Sequence, residues 1–140
     1  MIRIEQDPWT VMVAHAVTSY PRECCGIMLG EEPNPGERKV TLAIPVSNAY
    51  AGDQSDRFEI DPRDQLAADK HARSIGLDVL GFFHSHPDHG LYFSKTDLKN
   101  SWPWYSNIVI SIQKGEFAGA AAFLANEDQT LATDEELIHP

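Results

Sequence analysis

Between Gly76 and His84 the chain reads Leu77-Asp78-Val79-Leu80-Gly81-Phe82-Phe83, an apolar run broken only by Asp78 and Gly81 and too short for a typical helix. Such a run predicts a central strand covered on both faces. Whatever folds around it must supply cover above and below.

Trp9, Met12, Val13, Ala16, Val17 and Tyr20 recur at helical spacing after Asp7-Pro8, which supplies an N-cap and a first-turn proline, so one amphipathic helix is predicted up to Pro21. His15 falls off this stripe and is expected to face solvent. Glu23 to Gly30 reads as a strand, the Glu31–Gly36 run as a turn, and Lys39 to Val46 as the returning strand, with Pro45 marking a sheet edge or a strand end. Asn48 to Asp56 is a polar loop, followed by a short strand at Arg57–Ile60. Asp61-Pro62 repeats the cap-plus-proline signal for a helix that Gly76 closes. After the central strand come a loop from Pro87 to Phe93, a short helix beginning near Ser94, and strands at Ile108–Ile112 and Phe117–Leu124 joined through Lys114-Gly115-Glu116. The predicted class is therefore α/β of the α+β type: one domain with a mixed sheet flanked by helices. It is expected to span residues 1–124, with 125–140 an acidic tail, either disordered or carrying at most a helical turn at Asp134–Ile138.

At 140 residues, folding buries roughly two-thirds of the surface of the unfolded chain, enough for a core without staples. Eleven Lys and Arg against 21 Asp and Glu give a net charge of −10, which repels a polyphosphate backbone. Nucleic acid is excluded as an expected partner. The only cysteines, Cys24 and Cys25, are neighbours, too close for a relaxed disulfide. Arg3, Glu5 and Asp7 rule against a signal peptide and no run has the length of a membrane span, so the expectation is a cytoplasmic protein with no membrane partner.

The central strand delivers the chain to His84-Ser85-His86-Pro87. Residues two apart on a strand share a face, so both imidazoles can reach one ion. Eleven residues past His86 stands Asp97, in a Ser94-Lys95-Thr96-Asp97 pattern on the first turn of the short helix. Two His and one carboxylate can form a catalytic zinc set, because three protein ligands leave the fourth position to water. Ser94 and Asp97 also have the spacing of a helix capping box, and the two roles are compatible.

This pattern, His84-Ser85-His86 followed by seven residues, then Ser94, two more and Asp97, resembles the signature of the JAMM/MPN+ metalloprotease family at every position. Pro21-Arg22-Glu23-Cys24-Cys25-Gly26 resembles that family's upstream glutamate segment, and Asn48 and Arg57-Phe58-Glu59-Ile60-Asp61-Pro62 extend the likeness to most of the chain up to about Leu124. The resemblance implies a JAMM/MPN (cytidine deaminase-like) fold. It also implies zinc on His84, His86 and Asp97, Glu23 as general acid/base, and Ser94 as an oxyanion donor. Cys25 shares a strand face with Glu23 and is read as a small buried hydrophobe, since a thiolate ligand would close the site. His89 has no matching position and is expected to be exposed. Trp102, Trp104 and Tyr105 follow a short helix and read as core, with a substrate wall as the other option.

The chain resembles the small members of the family. The implied reaction is hydrolysis of a peptide or isopeptide bond after the C-terminal glycine of a ubiquitin-like sulfur-carrier protein, whose tail would lie extended beside Asn48–Phe58. The alternatives are a zinc peptidase acting on small conjugates and a metal-free scaffold of the same fold.

Overall fold

The computed structural model describes residues 1–140. Its elements in chain order are β1 (Ile2–Ile4), α1 (Gln6–Ser19), β2 (Cys25–Asn34), β3 (Glu37–Val46), α2 (Pro62–Ser74), β4 (Asp78–Pro87), α3 (Lys95–Asn100), β5 (Ser106–Gln113), β6 (Glu116–Ala125), β7 (Ala132–Glu135) and β8 (Leu137–Ile138). The eight strands form one mixed sheet in the order β7-β6-β5-β4-β2-β3-β1-β8. Strand β4 lies in the middle, antiparallel to β2 and parallel to β5. The Leu77–Phe83 run is thus the buried central strand its composition predicts, and it continues through the histidines to Pro87.

Both faces are covered. On one, Trp9, Met12 and Ala16 of α1 pack with Met28, Val40, Leu80, Phe83, Ile108 and Ile110. On the other, Ala68 and Ala72 of α2 pack with Ile27, Leu29 and Val79. Full burial of each large apolar side chain stabilises by roughly 1.5–3 kcal/mol, so the two helices tie the sheet together from both sides. No helix is long and apolar enough to cross a membrane.

A bulge in β4 decides which face the histidines occupy. Met28 pairs with Gly81 but Leu29 pairs with Val79, so Leu80 is an extra residue in the ladder. Before the bulge Val79 faces α2; after it Phe82 does, while Leu80 and Phe83 both face α1. The alternation is thereby re-phased, and His84 and His86 follow Phe82 rather than pointing into the α1 core. Gly81 is obligatory here, since a Cβ on it would collide with the Ser106 carbonyl of β5.

Several expectations are corrected. Helix α1 starts at Gln6 with Glu5 at the N-cap and no side-chain cap, because the Glu5 N–H bonds to the Val40 carbonyl and the chain turns from strand directly into helix. Pro8 still sits in the first turn, where backbone N–H groups lack helical acceptors. His15 is half-buried, edge-on to Phe83, rather than solvent-facing. Arg57–Ile60 forms only an isolated bridge, Asn48 with Ile60. Pro45 lies in β3 beyond the three residues that pair with β1, so its missing N–H faces a locally open edge. The segment after Asn126 is neither a disordered tail nor a helical turn: β7 pairs with β6 and β8 with β1, and only Glu136 separates them. The sheet therefore curls until its two ends meet around α1, and His139 stacks on Trp9 with ring centroids 4.3 Å apart.

Candidate metal centre

The end of β4 and the start of α3 bring three donor atoms together. His84 Nε2 lies 3.2 Å from His86 Nε2 and 3.1 Å from Asp97 Oδ2, and His86 Nε2 lies 3.3 Å from the same oxygen. All three side chains are buried or nearly so. A tetrahedral zinc with bonds near 2.0–2.1 Å sets its ligand atoms about 3.3 Å apart, so the three separations match one face of that tetrahedron. His86 Nδ1 lies 3.0 Å from the Gly90 carbonyl, which can only accept. Nδ1 therefore carries the proton of the neutral ring, and its Nε2 lone pair faces the Asp97 oxygen. An imidazole lone pair aimed at a carboxylate oxygen fits a cation held between them. Phe58 stacks on the His84 ring at 4.4 Å, and Tyr92 packs against His86 at 4.8 Å, which limits how far either ring can turn.

Asp97 reaches this point through its helix. The Ser94 Oγ accepts the Asp97 N–H at 2.9 Å, and Asp97 Oδ2 accepts the Ser94 N–H at 3.1 Å, a reciprocal capping box. The oxygen that caps α3 is the one that faces both imidazoles. Ser94 spends a lone pair on the cap and keeps its own O–H free to donate.

Glu23 comes from the residues just before β2. It is 5% exposed, lies with both imidazoles in a cluster whose donor atoms are within 4.8 Å of one another, and has no hydrogen-bond partner on Oε1. Two carboxylates thus compete for the third place beside the histidines. Asp97 is nearer, and burial, which would raise its pKa, is outweighed by the two imidazoles and the Ser94 N–H, so it is held well below the usual carboxylate range. Glu23 is pushed up to about 8, chiefly by burial. An anion suits a ligand and a carboxyl near neutrality suits proton transfer, so Asp97 is the better ligand and Glu23 the better base.

Burial also lowers the pKa of His84. It pulls His86 down too, but Asp97 and the Gly90 carbonyl raise that ring by more. Cys25 is fully buried with Sγ 3.9 Å from the Val46 and Ser47 carbonyls, and burial pushes its thiol up to about 12, which leaves it a thiol. His89 is exposed, and its carbonyl, not its ring, is bound by Ser111 and Gln113. Trp102 and Trp104 are exposed rather than core, with the Arg38 guanidinium 4.0 Å over the Trp104 ring. Trp102 lines a cavity of about 320 Å³ beside the centre, with Phe58, Ile60, Phe82, Phe93 and Asp97. That cavity joins residues from three distant segments, which the sequence marked through the Phe58–Ile60 motif and through the substrate-wall option for Trp102.

A curled sheet that presents two imidazoles and a carboxylate at its margin, with a second buried carboxylate beside them, defines a class: an α/β domain with a centre able to hold a metal cation. The chain belongs to the prokaryotic homologs of the JAB domain, whose family model matches residues 5–126. It is 37% identical over 92 residues to a desampylase of Haloferax volcanii, across 65% of this chain and 63% of that one. It is 32% identical over 97 residues to a CysO-cysteine peptidase of Mycobacterium tuberculosis, across 69% and 62%. Each of these alignments thus spans a little under two-thirds of the relative. Among solved structures, the protein DSY2949 from Desulfitobacterium hafniense superposes with a TM-score of 0.86 at 31% identity, covering 100% of this chain and 93% of that one. AF2198 from Archaeoglobus fulgidus, a JAB1/MPN domain protein, shares the fold with a TM-score of 0.58 at 13% identity, covering 100% and 97%.

Proposed function

We propose that this chain is a zinc-dependent hydrolase that cuts the peptide or isopeptide bond following the C-terminal glycine of a ubiquitin-like sulfur-carrier protein. The observation that carries the reading is the triangle of donor atoms at 3.1, 3.2 and 3.3 Å, with the unpartnered Glu23 carboxyl beside it. His84, His86 and Asp97 would hold the metal. When bound, zinc supplies Lewis-acid polarisation and acidifies water.

The remaining chemistry belongs to the chain's own residues. Glu23 takes the proton of the attacking water and returns it to the leaving amine, a role matched by its raised pKa and its freedom from protein hydrogen bonds. Ser94 O–H donates to the oxygen that gains charge as the carbonyl becomes tetrahedral. The cavity beside Phe58 and Trp102 takes the substrate segment next to the scissile bond and excludes water from it. The relatives' names, desampylase and CysO-cysteine peptidase, are those of hydrolases and support this class of substrate over the metal-free scaffold.

The substrate is tested by comparing a carrier protein fused through its Gly-Gly terminus to a further residue with a short peptide of the same tail. Release of the intact carrier, with the peptide cut far more slowly, is the expected outcome. Equal cleavage of both would replace the reading with that of a peptidase for small conjugates.

A further inference from the structure

Glu23 lies outside the strand ladder. Strand β2 begins only at Cys25, and β4 reaches no nearer than Cys24, whose N–H donates to Ser85 Oγ at 2.8 Å and whose carbonyl accepts the Ser85 N–H at 3.2 Å, so neither the N–H nor the carbonyl of Glu23 itself bonds to a strand. The loop between β3 and α2 holds it instead. The Glu23 N–H donates to the Gln54 carbonyl at 2.7 Å, and the Glu23 carbonyl accepts from Asn48 Nδ2 at 3.2 Å.

The Asn48 amide is saturated. Its Nδ2 also donates to the Arg57 carbonyl at 2.9 Å, while Oδ1 accepts the Tyr50 N–H at 3.0 Å and the Glu59 N–H at 3.1 Å. A side-chain amide offers two donor hydrogens and two acceptor lone pairs, and here each has a partner. Gln54 closes the assembly, donating Nε2 to the Asn48 and Tyr50 carbonyls at 3.0 Å each. The same loop carries Phe58, whose ring lies on His84.

We propose that Asn48 is a positioning residue for Glu23. Its amide locks the loop in one register and grips the Glu23 carbonyl, so that Gln54 holds one end of that residue and Asn48 the other. The carboxyl Oε1 has no partner of its own, so the aim of the side chain follows from packing and from where the main chain is fixed. This inference rests on the reading of Glu23 as the proton carrier. Misplacing a reacting group by about 1 Å can cost roughly 10²-fold in rate, which sets the scale of the expected effect.

Asn48→Asp separates the two jobs of the amide. It retains Oδ1 for the Tyr50 and Glu59 N–H groups, and with it the turn of the loop, but has no donor for the Glu23 and Arg57 carbonyls. In zinc-loaded protein, N48D is expected to bind zinc as the wild type does and to keep KM, with kcat lowered by up to about 10²-fold, whereas N48A, which also frees the loop carrying Phe58, should raise KM as well. The Glu23 amide should exchange with solvent faster. A double-mutant cycle supplies the readout that a merely structural role would not give: in an E23Q background, N48D should cause little further loss, because its effect passes through Glu23. Full kcat in N48D, or an equal loss in both backgrounds, overturns the proposal. If the wild type turns over no carrier conjugate, the functional reading fails, and the clamp is judged by amide exchange alone. Unchanged protection of the Glu23 amide in N48D would then dismiss it.

Discussion

Asp97 and Glu23 face the same two imidazoles, yet one is held anionic and the other is neutral below about pH 8, and this division is the residue-level basis of the proposed chemistry. It has a measurable consequence in metal-free protein. The Glu23 pKa in the fold, about 8, lies above its ordinary value near 4.5, so the folded state favours the protonated form. The stability this group contributes is fully present below about pH 4.5 and is lost as pH rises through about 8. Glu23→Gln is permanently neutral, so with chelator present its advantage over the wild type should be near zero in acid and grow between those limits. Urea denaturation midpoints at several pH values test this, and a gap that stays constant with pH would contradict it. Glu23 was legible in the sequence only through its Glu-Cys-Cys-Gly neighbourhood. Its hydrogen-bonding partners Asn48 and Gln54 lie 25 and 31 positions on, where spacing carries no signal.

At the scale of elements, α3 is a six-residue helix whose capping box and whose candidate ligand set share one carboxylate. The Ser94-x-x-Asp97 spacing announced both roles, and the capping box is formed. Ser94→Ala should destabilise by about 0.5–2 kcal/mol through the lost cap. As an oxyanion donor it should also lower turnover by about 10²- to 10³-fold. Ser94→Asp restores a cap acceptor but places a negative charge beside the oxyanion, so it should fold and not turn over. If both variants keep wild-type turnover at matched zinc occupancy, Ser94 serves the helix alone. The bulge in β4 was not legible, because it is a relation between β4 and its partner β2 rather than a property of either strand. Gly81→Ala should force Cβ into the Ser106 carbonyl and cost on the order of 1–3 kcal/mol or more, with weaker zinc binding as the re-phased histidines shift. Denaturation and metal titration of the variant check both effects.

Over the whole molecule, the sequence revealed the central strand, both covering helices and the β5–β6 hairpin, because each has its own periodicity or cap. It concealed the closure of the sheet. Ala132–Glu135 is a half-exposed edge strand without apolar alternation, and Leu137–Ile138 is too short to have a period. Their pairing is dictated by the open edges of β6 and β1, which lie far away in the chain. Truncation after Ala125 should therefore uncover both edges and the Trp9 face, lowering the thermal midpoint and promoting association on size-exclusion chromatography. A monomer of unchanged stability would show that the closing strands contribute nothing. The central claim, that His84, His86 and Asp97 hold zinc for a hydrolysis in which Glu23 moves the proton, is tested most directly by one assay. Carrier-conjugate cleavage is followed by mass spectrometry in chelated protein and during its titration with zinc, for the wild type and E23Q in parallel. The account predicts that wild-type activity rises to a plateau at one zinc per chain, and that E23Q takes up the same zinc while its rate stays about 10²- to 10⁴-fold lower. Cleavage that persists in the chelated protein, or an E23Q variant with full activity, would contradict it.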